Sequence, residues 1–366
     1  MNKFYPEKIF VEEEVEGFEL TKQVVEKCKG VPVETIKSAK DLIASLKGKR
    51  FSLSEGKKNL LLCRNRGRFL EPCPGTKKDY LCCGYAILNT GTGCPLDCSY
   101  CVLQAYLNNP FITLFVNRQE MMDELLSGSI LGRGKIIRIG TGEYMDSLAL
   151  EHLTGFIPFI LPFLRKRPDL ILELKTKTTH IENLIDLDHG DSFIISWSLN
   201  AEKIKKEEEK GTAPVKDRIK AASLLIEKGY RVSFHFDPVI YYPGWEQDYQ
   251  ETIELLKENI PPDKITWISI GSLRYMPGLK NIAQKRFSDT GIYSQEFISG
   301  LDGKMRYLQG QRTEMYQKMC SWLKAYSDDI LIYYCMESKI VWERTLGFSP
   351  SSNIGLKSLL DKRVLL

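Results

Sequence analysis

Histidine is scarce in this chain. Its 366 residues include only four, His152, His180, His189 and His235. None stands near a group of cysteines, so no local imidazole is at hand to close a metal shell. Long apolar runs are missing too. The stretch FIPFILPFL (156–164) contains two prolines and falls far short of the roughly 20 apolar residues a membrane helix needs. The opening MNKFYPEKIFVEEEVEGF is charged throughout and has no apolar segment of the secretory kind. An excess of one charge is also lacking. Fifty-one Lys and Arg against 47 Asp and Glu leave a net +4, which permits an anionic partner without demanding one. These absences predict no membrane and a cytoplasmic location, where thiols stay reduced. No internal repeat, low-complexity tract or linker is visible.

What is present is an ordinary globular composition, 43% hydrophobic and 27% charged, enough to bury a large core without staples. Residues 1–62 read as a polar preface. A short strand in KIFVEEEV is followed by helical text in ELTKQVVEKCKG and VETIKSAKDLIASLKGK. From about residue 85 the pattern alternates. The strand-like runs KIIRIGT, LILELKTK, SFIISWSLN, YRVSFHFDPVI, ITWISIGSL and DILIYYCME are separated by helical stretches, and a further strand starts near YAILNTG. The alternation predicts an α/β fold with a partial (β/α)6 barrel over 85–338. An N-terminal extension (1–84) precedes it and a tail (339–366) follows. Sites in such folds gather at the C-terminal ends of the strands. The charged run AEKIKKEEEKGTAP (201–214) reads as a solvated loop or helix face.

Ten cysteines in a reducing compartment point to metal or catalysis before disulfides. Three of them fall in GTGCPLDCSYC (91–101), as Cys94, Cys98 and Cys101, directly after the first strand of the barrel region. Structural zinc knots and electron-transfer iron–sulfur clusters close their shells with a fourth ligand. Three thiolates leave one iron of a [4Fe–4S] cluster open, and an open site is what chemistry needs.

This C-x3-C-x2-C spacing, with Tyr100 just before the third cysteine, resembles the signature of the radical S-adenosylmethionine (SAM) enzymes. The resemblance implies that SAM completes the cluster. An electron from an external flavodoxin- or ferredoxin-type donor would then release a 5′-deoxyadenosyl radical from it. The likeness is closer still to the spore photoproduct lyase family. It runs through GCPLDCSYCVLQAYLNNPFITLFVN, EHLTG (151–155), TKTTHIENLIDLDHG (176–190), SWSLNAEKI (196–204) and PVKDRIKAASLLIEKGYRVSFHFDPVIYYPGWEQDY (214–249), most of the chain from 90 to 275. That family implies DNA or another nucleic acid as partner and a lesion or base as substrate. Lys177 matches a family lysine near SAM, Ser198 and Asn200 match polar positions of the cofactor pocket, and Tyr100 matches one of two relay tyrosines.

Two departures stand out. The second relay position is Val102. Glu143, in GTGE, stands where the lyases carry the cysteine that quenches the substrate radical. A carboxyl O–H is a poor hydrogen-atom donor, and GTGE resembles instead the Gly-rich motif whose glutamate accepts from the SAM amino group.

Upstream, CRNRGRFLEPCPGTKKDYLCCGY holds Cys63, Cys73, Cys82 and Cys83, a set the lyases lack. Four thiols can close a zinc shell or hold a second iron–sulfur cluster, or they can simply pack. Cys28 and Cys320 read as core. Cys335 ends the last strand of the barrel region, where its thiol would face the mouth as a catalytic candidate. Tyr241, Tyr242 and Trp245 would stack on bases, with Arg274 on phosphates, or pack around their proline turn. Two other functions fit some of these features. One is radical modification of a peptide or small molecule aided by an auxiliary cluster. The other is a non-catalytic iron–sulfur or zinc protein that binds nucleic acid, against which Lys177, Glu143 and the open cysteine loop speak.

Overall fold

The six strand-like runs of the barrel region become six neighbouring strands of one sheet. The computed structural model describes residues 2–46, 52–74, 80–127 and 136–365. Across the sheet the order is Leu70–Pro72, Ala86–Leu88, Ile137–Gly140, Leu170–Thr176, Phe193–Ser198, Arg231–Val239, Ile265–Ser272 and Ile332–Tyr334. All pairs are parallel except the first, which is antiparallel. A bridge between Leu81 and Glu337 ties the segment ahead of Ala86–Leu88 to the segment after the last strand. The sheet thereby curls and its two edges meet at a seam.

Side chains alternate across each strand. On Leu170–Thr176, Leu172 and Leu174 point out to the helices and are fully buried, while Glu173 and Lys175 point into the barrel. The lumen is polar. Glu173 accepts from Ser196 Oγ at 2.8 Å and from His235 Nε2 at 2.9 Å. His235 Nε2 must therefore carry the proton, leaving Nδ1 to accept from Ser269. Burial alone would push the Glu173 carboxyl up, but Lys175 and His235 hold it well below the usual range.

The preface folds as a sheet of its own, in the order Val33–Ile36, Lys8–Glu12, Asn59–Cys63, Ile112–Phe115, Gly91–Thr92. Its last two strands flank the three-cysteine loop, so the preface anchors both ends of that loop. VETIK, expected as helix, is the strand Val33–Ile36. Its β-branched residues suit a parallel edge against Lys8–Glu12, and the helix starts only at Ala39, capped by Ser38. One face of this sheet buries Ile9, Val11, Leu60 and Leu62 with Leu150 and Leu153. The other buries Phe10, Leu61 and Cys63 with Phe111, beside Leu42 of the helix Ala39–Ser45.

The tail packs against the barrel. Leu356, Leu360 and Val364 of the helix Asn353–Leu365 join the main core, and Asp361 pairs with buried Arg138 at 2.9 Å. Among the described residues no helix is long and apolar enough to cross a membrane.

Candidate active site

The cysteine loop is held from several sides. Strand Asp97–Cys98 pairs antiparallel with Glu209–Lys210, placing Cys98 opposite Glu209. Gln104 donates to the carbonyls of Cys98 and Ser99 at 3.0 and 2.9 Å, and Tyr293 donates to Ser99 O at 3.1 Å. Asp97 is gripped by Lys57 at 2.6 Å and Arg286 at 2.9 Å. The three thiols lie within electrostatic reach of one another. Burial pushes Cys94 up to about 12, with the Asp146 carboxylate adding to it, and raises Cys98 and Cys101 as well. Lys57 and Lys177 pull the other way, and both favour thiolates here.

Such a set fits a cluster. Thiols this buried stay protonated until a metal supplies the compensating charge. Among the described residues no three Cys, His, Asp or Glu groups converge as ligands of a single metal ion. Three thiolates that each bind a different iron need not do so.

Facing the loop is a buried ionic network. Glu209, fully buried, receives Arg218 Nη2 at 2.7 Å, Lys177 Nζ at 3.2 Å and Asn200 Nδ2 at 3.3 Å. The Tyr100 hydroxyl also donates to it, and Lys177 sits 5.6 Å from the Tyr100 ring centroid. Burial alone would raise the Glu209 pKa. Lys177 and Arg218 win, and hold it well below the usual range. Tyr100, Lys177 and Asn200 are thus brought together. Ser198 ends its strand half-buried beside them, with its carbonyl accepting from Arg218 at 2.7 Å. The charged run expected to be solvated is the part that differs. Glu208 and Glu209 are buried, because this segment forms the strand that clamps the cysteine loop.

Glu143 lies on the opposite side of the mouth. Tyr85 donates to its Oε2 at 3.2 Å, and Lys175 donates to the Tyr85 hydroxyl at 3.3 Å. Close by, Asp146 accepts from the backbone N–H of Lys177 at 2.7 Å and from Thr176 at 2.8 Å, while its own backbone bonds to the Cys94 thiol. One loop, residues 141–147, therefore places Glu143 and also ties the cysteine loop to Lys177. The two glycines of GTGE are required by space. A Cβ on Gly140 would lie 2.4 Å from the Tyr85 ring, and one on Gly142 would lie 2.6 Å from Lys175 Cβ. Gly140→Ala should displace Tyr85 from Glu143 and cost about 1–3 kcal/mol of stability, the usual penalty for overpacking. Urea unfolding of the variant checks this, and an unchanged midpoint would show that Tyr85 has room to move.

The remaining cysteines divide. Cys335 follows the last strand and is half-buried at the seam, where its thiol is raised by burial and lies near Arg274, Asp237, Cys83 and Cys82. Cys73, Cys82 and Cys83 belong to the main core. Cys63 is apart from them, on the face of the N-terminal sheet turned away from the barrel. The four upstream cysteines do not form one group. Cys28 and Cys320 are core, the latter 3.0 Å from the Tyr334 hydroxyl. The aromatic run takes its packing role. Trp245 is buried against Tyr241, Tyr249 and Trp322 at centroid distances of 6.0–6.2 Å, and Arg274 forms two bonds with Asp237, at 2.9 and 3.0 Å. Sequence reasoning missed Glu209, Arg218, Asp146 and Tyr85.

The family model described as spore photoproduct lyase matches residues 4–335. The chain is 25% identical over 303 residues to the spore photoproduct lyase of Bacillus subtilis, covering 81% of this chain and 86% of that one. It is 23% identical over 252 residues to that of a Geobacillus species, covering 66% and 74%. Among solved structures, a spore photoproduct lyase double mutant with bound AdoMet and dinucleoside spore photoproduct superposes with a TM-score of 0.80. The identity is 20%, over 91% of this chain and all of that one.

Proposed function

The chain belongs to the spore photoproduct lyase family and is a radical SAM enzyme, and from that premise we propose that it acts on a lesion or base of a nucleic acid. The observation that carries the reading is the convergence at one barrel mouth. The open three-cysteine loop, Lys177 with its Glu209 network, and Glu143 all face the same space. A solved relative is described with AdoMet and a dinucleoside photoproduct bound, which favours a nucleotide substrate here. The cations Lys175, Arg274 and Lys304 near the mouth suit a polyanion.

Cys94, Cys98 and Cys101 would hold a [4Fe–4S] cluster, and Glu143, Lys177, Ser198 and Asn200 would receive SAM. When bound, the two would supply a 5′-deoxyadenosyl radical. The chain's own residues do the rest. Glu143 offers a carboxylate oxygen to an ammonium group. Lys177, already half-neutralised by Glu209, offers its ammonium to a carboxylate. The backbone of Asp146 orients both the Cys94 thiol and, through its carboxylate, the Lys177 peptide. The polar floor of Glu173, His235 and Ser269 closes the barrel beneath the reacting groups.

Glu143→Gln should weaken SAM binding by about 1–3 kcal/mol, the range for hydrogen bonds to charged groups. Equilibrium binding of SAM to the anaerobically reconstituted protein is the check. Affinity equal to wild type would remove Glu143 from the cofactor pocket.

A further inference from the structure

The radical reading leaves a gap on the page: Glu143 occupies the place of a hydrogen donor and cannot deliver a hydrogen atom readily. The structure offers thiols elsewhere around the same mouth. At the seam, Leu81 N–H donates to Glu337 O at 3.0 Å and Met336 N–H donates to Leu81 O at 3.1 Å, the two bonds of an antiparallel bridge. Following that pairing two residues along each segment leads to Cys83 on one side and Cys335 on the other. Facing residues of an antiparallel pair have Cα atoms about 4.5–5.5 Å apart, inside the roughly 4.4–6.8 Å that a disulfide spans. The two thiols are also within electrostatic reach of each other and of Lys175. Lys175 bonds the Tyr85 hydroxyl that in turn holds Glu143, so the pair borders the reacting space.

We propose that Cys335 and Cys83 form a cross-seam dithiol in which Cys335 gives its hydrogen atom to the substrate radical and Cys83 captures the thiyl left behind. This rests on the function proposed above. The Cys335 S–H bond breaks as a C–H bond forms on the substrate. The Cys335 sulfur then bonds to Cys83, whose proton passes to water, and the surplus electron leaves to an oxidised one-electron carrier of the flavodoxin or ferredoxin class. A disulfide remains, to be reduced by a dithiol. Burial suits the first step, because it keeps the Cys335 thiol protonated, and a hydrogen-atom donor needs an intact S–H. Cys82, whose backbone N–H is bonded to Asn353 Oδ1 at 2.9 Å, adjoins the pair and is its natural competitor.

The test uses the full-length protein in two stages. Before any reconstitution, anaerobic diamide oxidation and peptide mapping should give a Cys83–Cys335 cross-link that disappears in Cys335→Ala. No cross-link, or a Cys82–Cys83 disulfide alone, would overturn the pair. Next, the reconstituted wild type is given SAM, a flavodoxin-type donor and the dinucleoside spore photoproduct, with no added thiol, then quenched with iodoacetamide. Alkylation of Cys83 and Cys335 should fall in step with product formed. Product with both thiols still alkylable would overturn the donor role. A wild type that forms no 5′-deoxyadenosine at all removes the proposed function, and the donor role with it, while the apoprotein cross-link would still stand.

Discussion

Glu209→Ala should destabilise the protein by about 3–5 kcal/mol, the cost of stripping one partner from a buried ion pair. Arg218 is fully buried, and its Nη2 has Glu209 as its carboxylate partner at 2.7 Å. Removing that carboxylate leaves a guanidinium in a dry interior with only Thr212 and carbonyl oxygens around it. Lys177 and Tyr100 lose their common acceptor in the same step. The strand that clamps the cysteine loop is thereby loosened, so the variant should also take up iron poorly. The pH dependence has a definite sign. The folded-state pKa of Glu209 lies below its unfolded value, so its stabilisation is complete above the ordinary glutamate pKa of about 4.3. It is lost only as pH falls through the lower, folded value. Urea unfolding at neutral pH measures the loss. A shift under about 1 kcal/mol would mean that Arg218 finds other compensation.

Cys98→Ala should abolish 5′-deoxyadenosine formation while leaving the fold intact. Cys98 is the buried centre of the loop, opposite Glu209 in the short antiparallel pair. Backbone bonds hold that strand, and its side chain has no structural partner as strong as those gripping Asp97. Losing a buried sulfur costs little beside the core. Losing one of three ligands leaves a second iron unheld, and a cluster with two protein ligands does not persist. Iron content, circular dichroism and SAM turnover on the same anaerobic preparation separate the outcomes. A variant that keeps both its iron and its SAM cleavage would move the cluster away from this loop.

The barrel was legible because its signals are local. Six apolar runs at strand length alternate with helical spacing, and each became a strand of one sheet. The cysteine loop was legible for the same reason, since its ligands lie within eight positions. Glu209 was not. EEEK among lysines has the pattern of a solvated face, and its partners are scattered. Tyr100 lies 109 positions upstream and Lys177 lies 32. Only the folded chain shows that a two-residue strand buries it. Cys63 misled in the opposite direction. Its nearness in sequence to Cys73, Cys82 and Cys83 suggested one metal shell, yet strand alternation turns it to the far face of another sheet. VETIK failed because a four-residue edge strand is set by its neighbour Lys8–Glu12 and not by its own periodicity. The seam between Cys83 and Cys335 joins residues from opposite ends of the barrel, and no local pattern announces it.

The central claim is that this mouth assembles an open-site cluster which SAM completes and from which it is cleaved. The most direct measurement is 5′-deoxyadenosine by mass spectrometry, after anaerobic reconstitution with iron and sulfide and reduction by dithionite in the presence of SAM. The account predicts its formation by the cluster-loaded wild type, and none by the protein lacking Cys94, Cys98 and Cys101. A wild type that carries its cluster and leaves SAM intact, with and without the dinucleoside spore photoproduct, would contradict it.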